Sequence, residues 1–376
     1  MTSTRRGYLD WLRGVAVLIM IEAHILDSWT RLDQRGTALY GASVILGGFG
    51  APLFLFLAGV AVSLSAGSKL RARTRSAPAS QPGERAALQV SDSAAASRAV
   101  IRRGLQIFLL AFLFRLQAMI VSWGSWRSLL KVDILNVMGP SIMGAAALWG
   151  AVRTDRHRLL LLSAATLAIA FLTPPVRAVG WLAVLPDAVE AYLRPRPGFT
   201  TFTMFPWAAF VFAGAAIGVL IDQTREPATE RRLNLQLGAA GLVLAAGSYA
   251  ASYLPSPYER SDFWTSSPAF FLLRTGVLIA SIYAAYLWDQ RPRAASAFSP
   301  LRQMGRTSLF IYWIHIELIY GLMVRPLHKS MTLGQAWLGI AIFAVLMLLL
   351  SLAKDRLVAS VRGTEGRAQG SLIANR

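Results

Sequence analysis

The chain has 376 residues, 55% of them hydrophobic and only 15% charged, with a mean hydropathy of +0.48. Soluble chains carry roughly 25% charged residues and lack repeated apolar runs of spanning length, so a soluble globular fold is excluded. The absence of cysteine excludes disulfides, thiolate metal sites and cysteine nucleophiles. The net charge of +19 would point to nucleic acid in a soluble protein. In a membrane protein it asks instead which loops hold the basic residues.

The first predicted element is a span over 11–28, interrupted by Glu22, His24 and Asp27. No small-residue cleavage site follows it, so it reads as a retained helix rather than a signal peptide. A second span is predicted over 43–66. Residues 67–100, rich in Ala, Ser, Pro and Arg with no apolar period, read as a disordered cytoplasmic linker. Contact of Lys69, Arg71, Arg73 and Arg75 with anionic lipid is the alternative to an inert loop.

Further spans are predicted at 104–123, 132–152, 159–173, 202–221, 235–254, 268–288, 307–324 and 333–353. The one at 159–173 is short, and 174–206 leaves room for an interfacial or re-entrant piece. A spanning helix needs about 20 apolar residues, so the pattern defines an all-α polytopic membrane protein with about ten transmembrane helices. Residues 1–66 and 101–354 form one membrane domain, 67–100 a linker and 355–376 a cytoplasmic tail. Gly214 and Gly218 form a small-xxx-small pair that reads as helix packing.

With the N-terminus inside, 26 Lys and Arg fall on the cytoplasmic segments and 10 on the opposite ones. That bias predicts both termini in the cytoplasm, in a multi-pass protein of the cell membrane. The basic balance is then topogenic, and no nucleic-acid partner is expected. Oligomeric state is not legible.

Ionisable groups inside spans are costly and mark function by default. Here they are Glu22, His24, Asp27, Arg115, Arg274, His315 and Glu317, with Asp133 at the edge of the fourth span. Arg13 and His24 are eleven residues apart, which places them on one helix face about 16 Å apart. Asp27 lies one turn beyond His24, within reach to orient its imidazole. Glu22 points about 200° away from His24, and Arg115 is its candidate partner. A histidine beside an aspartate suits general-base chemistry, or equally a wet bond between helices near the interface. The four histidines show no metal-ligand spacing, so no metal site is expected.

The opening Tyr8-Leu-Asp-Trp-Leu-Arg-Gly14 and the apolar helix to His24 resemble transmembrane acyltransferases. The nearest resemblance is to the bacterial family related to the catalytic domain of heparan-alpha-glucosaminide N-acetyltransferase. The spacing of Arg13 and His24 is also similar to the acyltransferase-3 family. Pro52-Leu-Phe-Leu-Phe-Leu-Ala-Gly59, Val132-Asp-Ile-Leu-Asn-Val-Met-Gly139, Phe205-Pro-Trp207 and Gly305-Arg-Thr-Ser-Leu-Phe-Ile-Tyr-Trp-Ile-His315 extend the resemblance in order along the chain.

The resemblance implies an enzyme that moves an acyl group, acetyl among the candidates, from cytosolic acyl-CoA to a sugar or other envelope acceptor on the outer side. No permanently bound cofactor is implied. It makes His24 the catalytic base, supported by Asp27, and gives Arg13 an anionic group of the donor. Arg115, Asp133, Asn136, Arg274, Tyr312 and His315 become candidate substrate-binding residues. Asn136 stands where the family usually has Gln. The lysosomal enzyme has Asn near the position of His24 and its catalytic His further into the next loop. This chain has no His between 25 and 156, so acetyl-glucosamine specificity is not carried over. Two readings from other classes stand beside the enzyme. One is a transporter or flippase for a lipid or glycan precursor, the other a non-catalytic partner in an envelope complex.

Overall fold

Apolar runs of spanning length satisfy their backbone groups only as helices, and helices are what they form. The computed structural model describes residues 6–76, 82–121, 123–291 and 298–374, with side chains for all of these except 76–91 and 362–374. Among the described residues there are thirteen α-helices, joined by loops and short 3-10 turns. The first seven are α1 Gly7–Trp29, α2 Ala38–Gly47, α3 Gly50–Ser76, α4 Pro82–Val121, α5 Ile134–Ala151, α6 Asp155–Ala178 and α7 Asp187–Leu193. Then come α8 Met204–Gln223, α9 Pro227–Ala251, α10 Pro268–Asp289, α11 Pro300–Arg306, α12 Ser308–Tyr320 and α13 Leu333–Ala374.

Eight stretches are long and apolar enough to cross a membrane, with α2 and α3 counted together as Ala38–Arg75. The expected spans all fall on helices, which makes this an all-α polytopic membrane protein. The first and ninth are the exceptions to the length-and-apolarity rule. Charged residues interrupt α1, and α12 has only 13 residues.

Two expectations change. The span drawn over 43–66 is broken between α2 and α3, where Gly48 caps α2 by donating to the carbonyls of Val44 and Leu46. The linker drawn over 67–100 is mostly helix: α3 runs to Ser76 and α4 begins at Pro82, while 77–81 lie outside the described residues. Ala, Arg, Leu and Gln are strong helix formers, and the last turns of this stretch are packed. Ser93, Ala96, Ser97 and Val100 are buried, the Ser97 hydroxyl donates to Ala146 at 2.5 Å, and Arg158 donates to Ser93 at 2.7 Å. Arg71 pairs with Asp222. The tail is helical too, because α13 continues to Ala374 through a stretch without proline.

The contacts group the chain into two bodies, one of residues 51–290 and one of 6–50 with 291–376. In the first, α8 is the most enclosed helix, with 67% of its apolar window buried against 17% for α4. Its packing depends on missing side chains. A Cβ at Gly214 would collide with the carbonyl of Phe56, and one at Gly218 would lie 2.7 Å from the carbonyl of Val60. The glycine pair therefore packs α8 onto α3, as its spacing predicts. Pro174 and Pro175 sit inside α6 and cannot donate to the carbonyls four residues back. One of the carbonyls so released, that of Phe171, takes the Tyr258 hydroxyl at 2.9 Å. The 174–206 stretch holds the short α7 and a single parallel bridge between Val132 and Thr200.

In the second body α1 packs on α11, α12 and α13. Val17, Ile21, Ile25 and Trp29 recur every fourth residue and form one apolar core with Met304, Ile311, Ile319, Ile340 and Phe343.

Candidate functional site

The polar groups of α1 in this second body fall at two levels. At the lower one, α11 crosses α1 so closely that neither helix tolerates a Cβ: Gly14 abuts the carbonyl of Leu301, and Gly305 abuts that of Asp10. Gly14 and Gly305 in the two quoted motifs thus owe their identity to this crossing. Asp10, 3% exposed along its side chain, accepts from Arg13 at 2.9 Å and lies 3.7 Å from Arg306. Arg306 in turn lines a cavity of about 380 Å³ with Thr307, Leu309, Phe310, Trp313 and Lys354. One buried carboxylate set between two guanidinium groups leaves this level with a cationic excess.

At the upper level the end of α1 is latched to the chain that follows α12. Arg31, just past α1, donates its backbone N–H to the carbonyl of Met331 at 2.9 Å, Met331 donates to that of Trp29 at 3.0 Å, and Lys329 donates to that of Ser28 at 2.9 Å. The carbonyl of Ile319 accepts from Ser28 at 3.3 Å and from Trp29 at 3.2 Å. This latch sets the rotation of α1 against α12 and with it the direction of His24.

His24 meets His315 there: His24 Nδ1 is 3.1 Å from His315 Nε2, with ring centroids 5.1 Å apart and tilted by 40°. His315 is fully buried, its Nδ1 is 2.9 Å from the carbonyl of Ile311, and Tyr312 stands edge-on to it at 5.7 Å. Tyr320 approaches the other side of His24 edge-on, also at 5.7 Å. Asp27, the partner expected for His24, is engaged elsewhere. Its carboxylate accepts from the Tyr320 hydroxyl at 3.1 Å and lies 4.0 Å from Arg35. Asp27 is exposed and its carboxylate is shared between Tyr320 and Arg35. In the loop after α1, hydrogen bonds from Arg31 hold the Asp33 carboxyl below the usual carboxylate range.

Glu22 is buried near Gly47 of α2, and neither of its oxygens has a hydrogen-bond partner among the described residues. Arg115, the partner suggested for it, instead pairs with Asp133 at 2.8 Å. The turn between α4 and α5 brings the start of α5 back onto Arg115.

In the first body the Val132-to-Gly139 motif has a local explanation. Asp133 is the N-cap of α5 and Asn136 its third residue, and the two close a capping box. Asp133 accepts from the backbone of Ile134 at 2.7 Å, Asn136 accepts from that of Asp133 at 3.0 Å, and Asn136 donates to Tyr192 at 3.4 Å. Arg274 stacks on the ring of Phe270 at 4.0 Å. His24, Asp27, Arg13, Tyr312 and His315 therefore belong to the second body, and Arg115, Asp133, Asn136 and Arg274 to the first. Among the described residues no three His, Asp or Glu side chains gather in a metal-binding group.

Sequence reasoning passed over Asp10, Arg306, Tyr320 and Lys354. Asp10 and Arg306 lie inside quoted motifs, and their charge beside an invading glycine was a usable signal. Tyr320 had none, because it follows His315 by five residues and shares no simple helical face with it.

A helical chain with eight stretches long and apolar enough to cross a membrane is a polytopic membrane protein. The family model described as heparan-alpha-glucosaminide N-acetyltransferase, catalytic, matches residues 5–254. This covers well over half of the chain, which therefore belongs to that family, a family of membrane transferases. No curated protein matches it. The match includes Arg13 and His24, whereas His315 lies beyond its end.

Proposed function

We propose that the protein transfers an acyl group, acetyl among the candidates, from cytosolic acyl-CoA to a sugar or other envelope acceptor on the far side, with His24 as general base. The observation that carries this is His24, held at 3.1 Å by His315 and about 16 Å along α1 from Arg13. That separation suits the pantetheine arm of a donor whose phosphates sit among Arg13, Arg306 and Lys354. The thioester carbonyl then reaches the level of His24. There the acceptor's hydroxyl or amine attacks as its proton passes to the imidazole. A general base contributes about 10²–10⁴-fold, and alignment of donor and acceptor supplies much of the rest. The bias of basic residues supports cytoplasmic termini and a cell-membrane location, with the Arg13 level on the inner side.

The test is release of free CoA from a panel of acyl-CoA donors with envelope glycans, measured for wild type and two variants. His24→Ala is expected to lower kcat with donor binding retained. Arg13→Ala is expected to raise KM, because its contact is as strong in the ground state as in the transition state. A second reading, a transporter or flippase for a lipid or glycan precursor, draws on Glu22, whose oxygens find no hydrogen bond among the described residues, a group suited to carrying a proton. It requires flux into proteoliposomes with no acylated product.

A further inference from the structure

We infer that His315 is a positioning residue that fixes which nitrogen of His24 carries the proton, leaving His24 Nε2 as the base. The inference rests on the acyltransferase reading for its catalytic meaning, but not for its chemistry. A carbonyl oxygen has only lone pairs, so the nitrogen facing it must be an N–H. His315 Nδ1 faces the carbonyl of Ile311 at 2.9 Å and therefore holds the proton of that ring. His315 is fully buried and bonded to no carboxylate among the described residues. A charged ring there would lack a counter-ion, so the ring is neutral. Its Nε2 is then a bare acceptor.

The next step follows from the 3.1 Å contact. An acceptor at His315 Nε2 requires a donor at His24 Nδ1, and the neutral His24 ring then has its lone pair on Nε2. Free histidine in water prefers the opposite tautomer, with the proton on Nε2. The backbone carbonyl of Ile311 thus dictates the tautomer of His24 through one intervening ring. A carboxylate does this directly in the serine hydrolase triad, where it also stabilises the imidazolium. Here a neutral imidazole takes its place.

The proton balance is simple. The acceptor's O–H or N–H proton moves to His24 Nε2 as the acceptor bonds to the acyl carbon, and the carbon–sulfur bond breaks. The imidazolium shares its Nδ1–H with the lone pair of His315 Nε2. Its Nε2 proton then passes to the departing thiolate, which leaves as free thiol. No proton leaves through His315, because its Nδ1–H already ends on a carbonyl.

The experiment is nitrogen-15 magnetic resonance on the full chain, labelled in its histidine rings and held in lipid nanodiscs. Only four histidines contribute, and His24 is assigned by difference with a His24→Gln chain. In spectra recorded at alkaline pH, His24 is expected to show a protonated Nδ1 and a bare Nε2. A protonated His24 Nε2 overturns the inference. His315→Leu removes the acceptor and is expected to move the proton to Nε2. Should that chain not fold, His315→Asn, whose amide reaches Ile311 but not His24, serves instead. An unchanged tautomer in the folded variant overturns the inference. His315→Gln places an amide oxygen where Nε2 stood and is expected to preserve the wild-type pattern.

Turnover separates this from a purely structural role. Leu at 315 is expected to lower kcat by about 10²–10⁴-fold, the range lost with a base or a wrong tautomer, with KM little changed. Gln is expected to restore all but about tenfold of it. If wild type consumes no acyl-CoA, the spectra still decide the tautomer, and only the function fails. If CoA release depends on His24 while Nε2 is protonated, only the inference fails.

Discussion

Burying an ionised carboxyl without a partner costs more than most single interactions return, and such groups inside a membrane tend to serve function. Glu22 is 3% exposed, and both its oxygens are without a hydrogen bond among the described residues. Glu22→Gln preserves the shape and removes the capacity to ionise. The midpoint of thermal unfolding in detergent is therefore expected to stay level or rise. A clear fall would show that a lipid headgroup, ion or water holds the charged form. The same reasoning separates Glu22 from Asp27, whose carboxylate is exposed and bonded to Tyr320.

Among the elements, α5 depends most visibly on its first residues. Asp133 caps the helix, completes a box with Asn136 and holds Arg115. Loss of an N-cap costs about 1 kcal/mol, and here Arg115 also loses the carboxylate it pairs with in a partly buried place. Asp133→Ala is expected to lower the melting midpoint more than Asn136→Ala. Asp133→Asn, which still caps but does not pair, is expected to fall between them. Equal effects for Ala and Asn would assign all of the role to the ion pair. The sequence pattern Asp-x-x-Asn before an apolar run was read as a pair of substrate-binding candidates, not as this box. It was silent on Arg115, because an ion pair between different helices depends on how the intervening turn folds.

For the molecule as a whole the expected orientation is open to a direct test, since the chain has no native cysteine. Arg153→Cys is expected to be protected from an impermeant thiol reagent added outside intact cells, and Arg260→Cys to react. Reaction of residue 153 from outside would reverse the topology read from the basic residues. The chain also joins its two ends: α1 finds its neighbours among α11, α12 and α13, and His24 meets a residue 291 positions away. The family match stops at residue 254, so the second half of that pair comes from outside the matched stretch.

What the sequence determined by itself was the set of spans and the helix faces. Hydrocarbon thickness demands about 20 apolar residues in each crossing, and a 3.6-residue turn assigns every side chain a direction. Both constraints act within one segment. Choice of partner does not, and there the tertiary structure decided. His24 was read beside Asp27 because they are one turn apart, yet the latch at Ser28 and Met331 turns the imidazole to His315 and leaves Asp27 with Tyr320. The 67–100 stretch looked like a linker because its composition lacks an apolar stripe. Its last turns are nonetheless held by small residues and hydroxyls, Ser93, Ala96 and Ser97, which pack closely without apolar bulk. Periodicity states which face a helix offers, and only the folded chain states what that face meets.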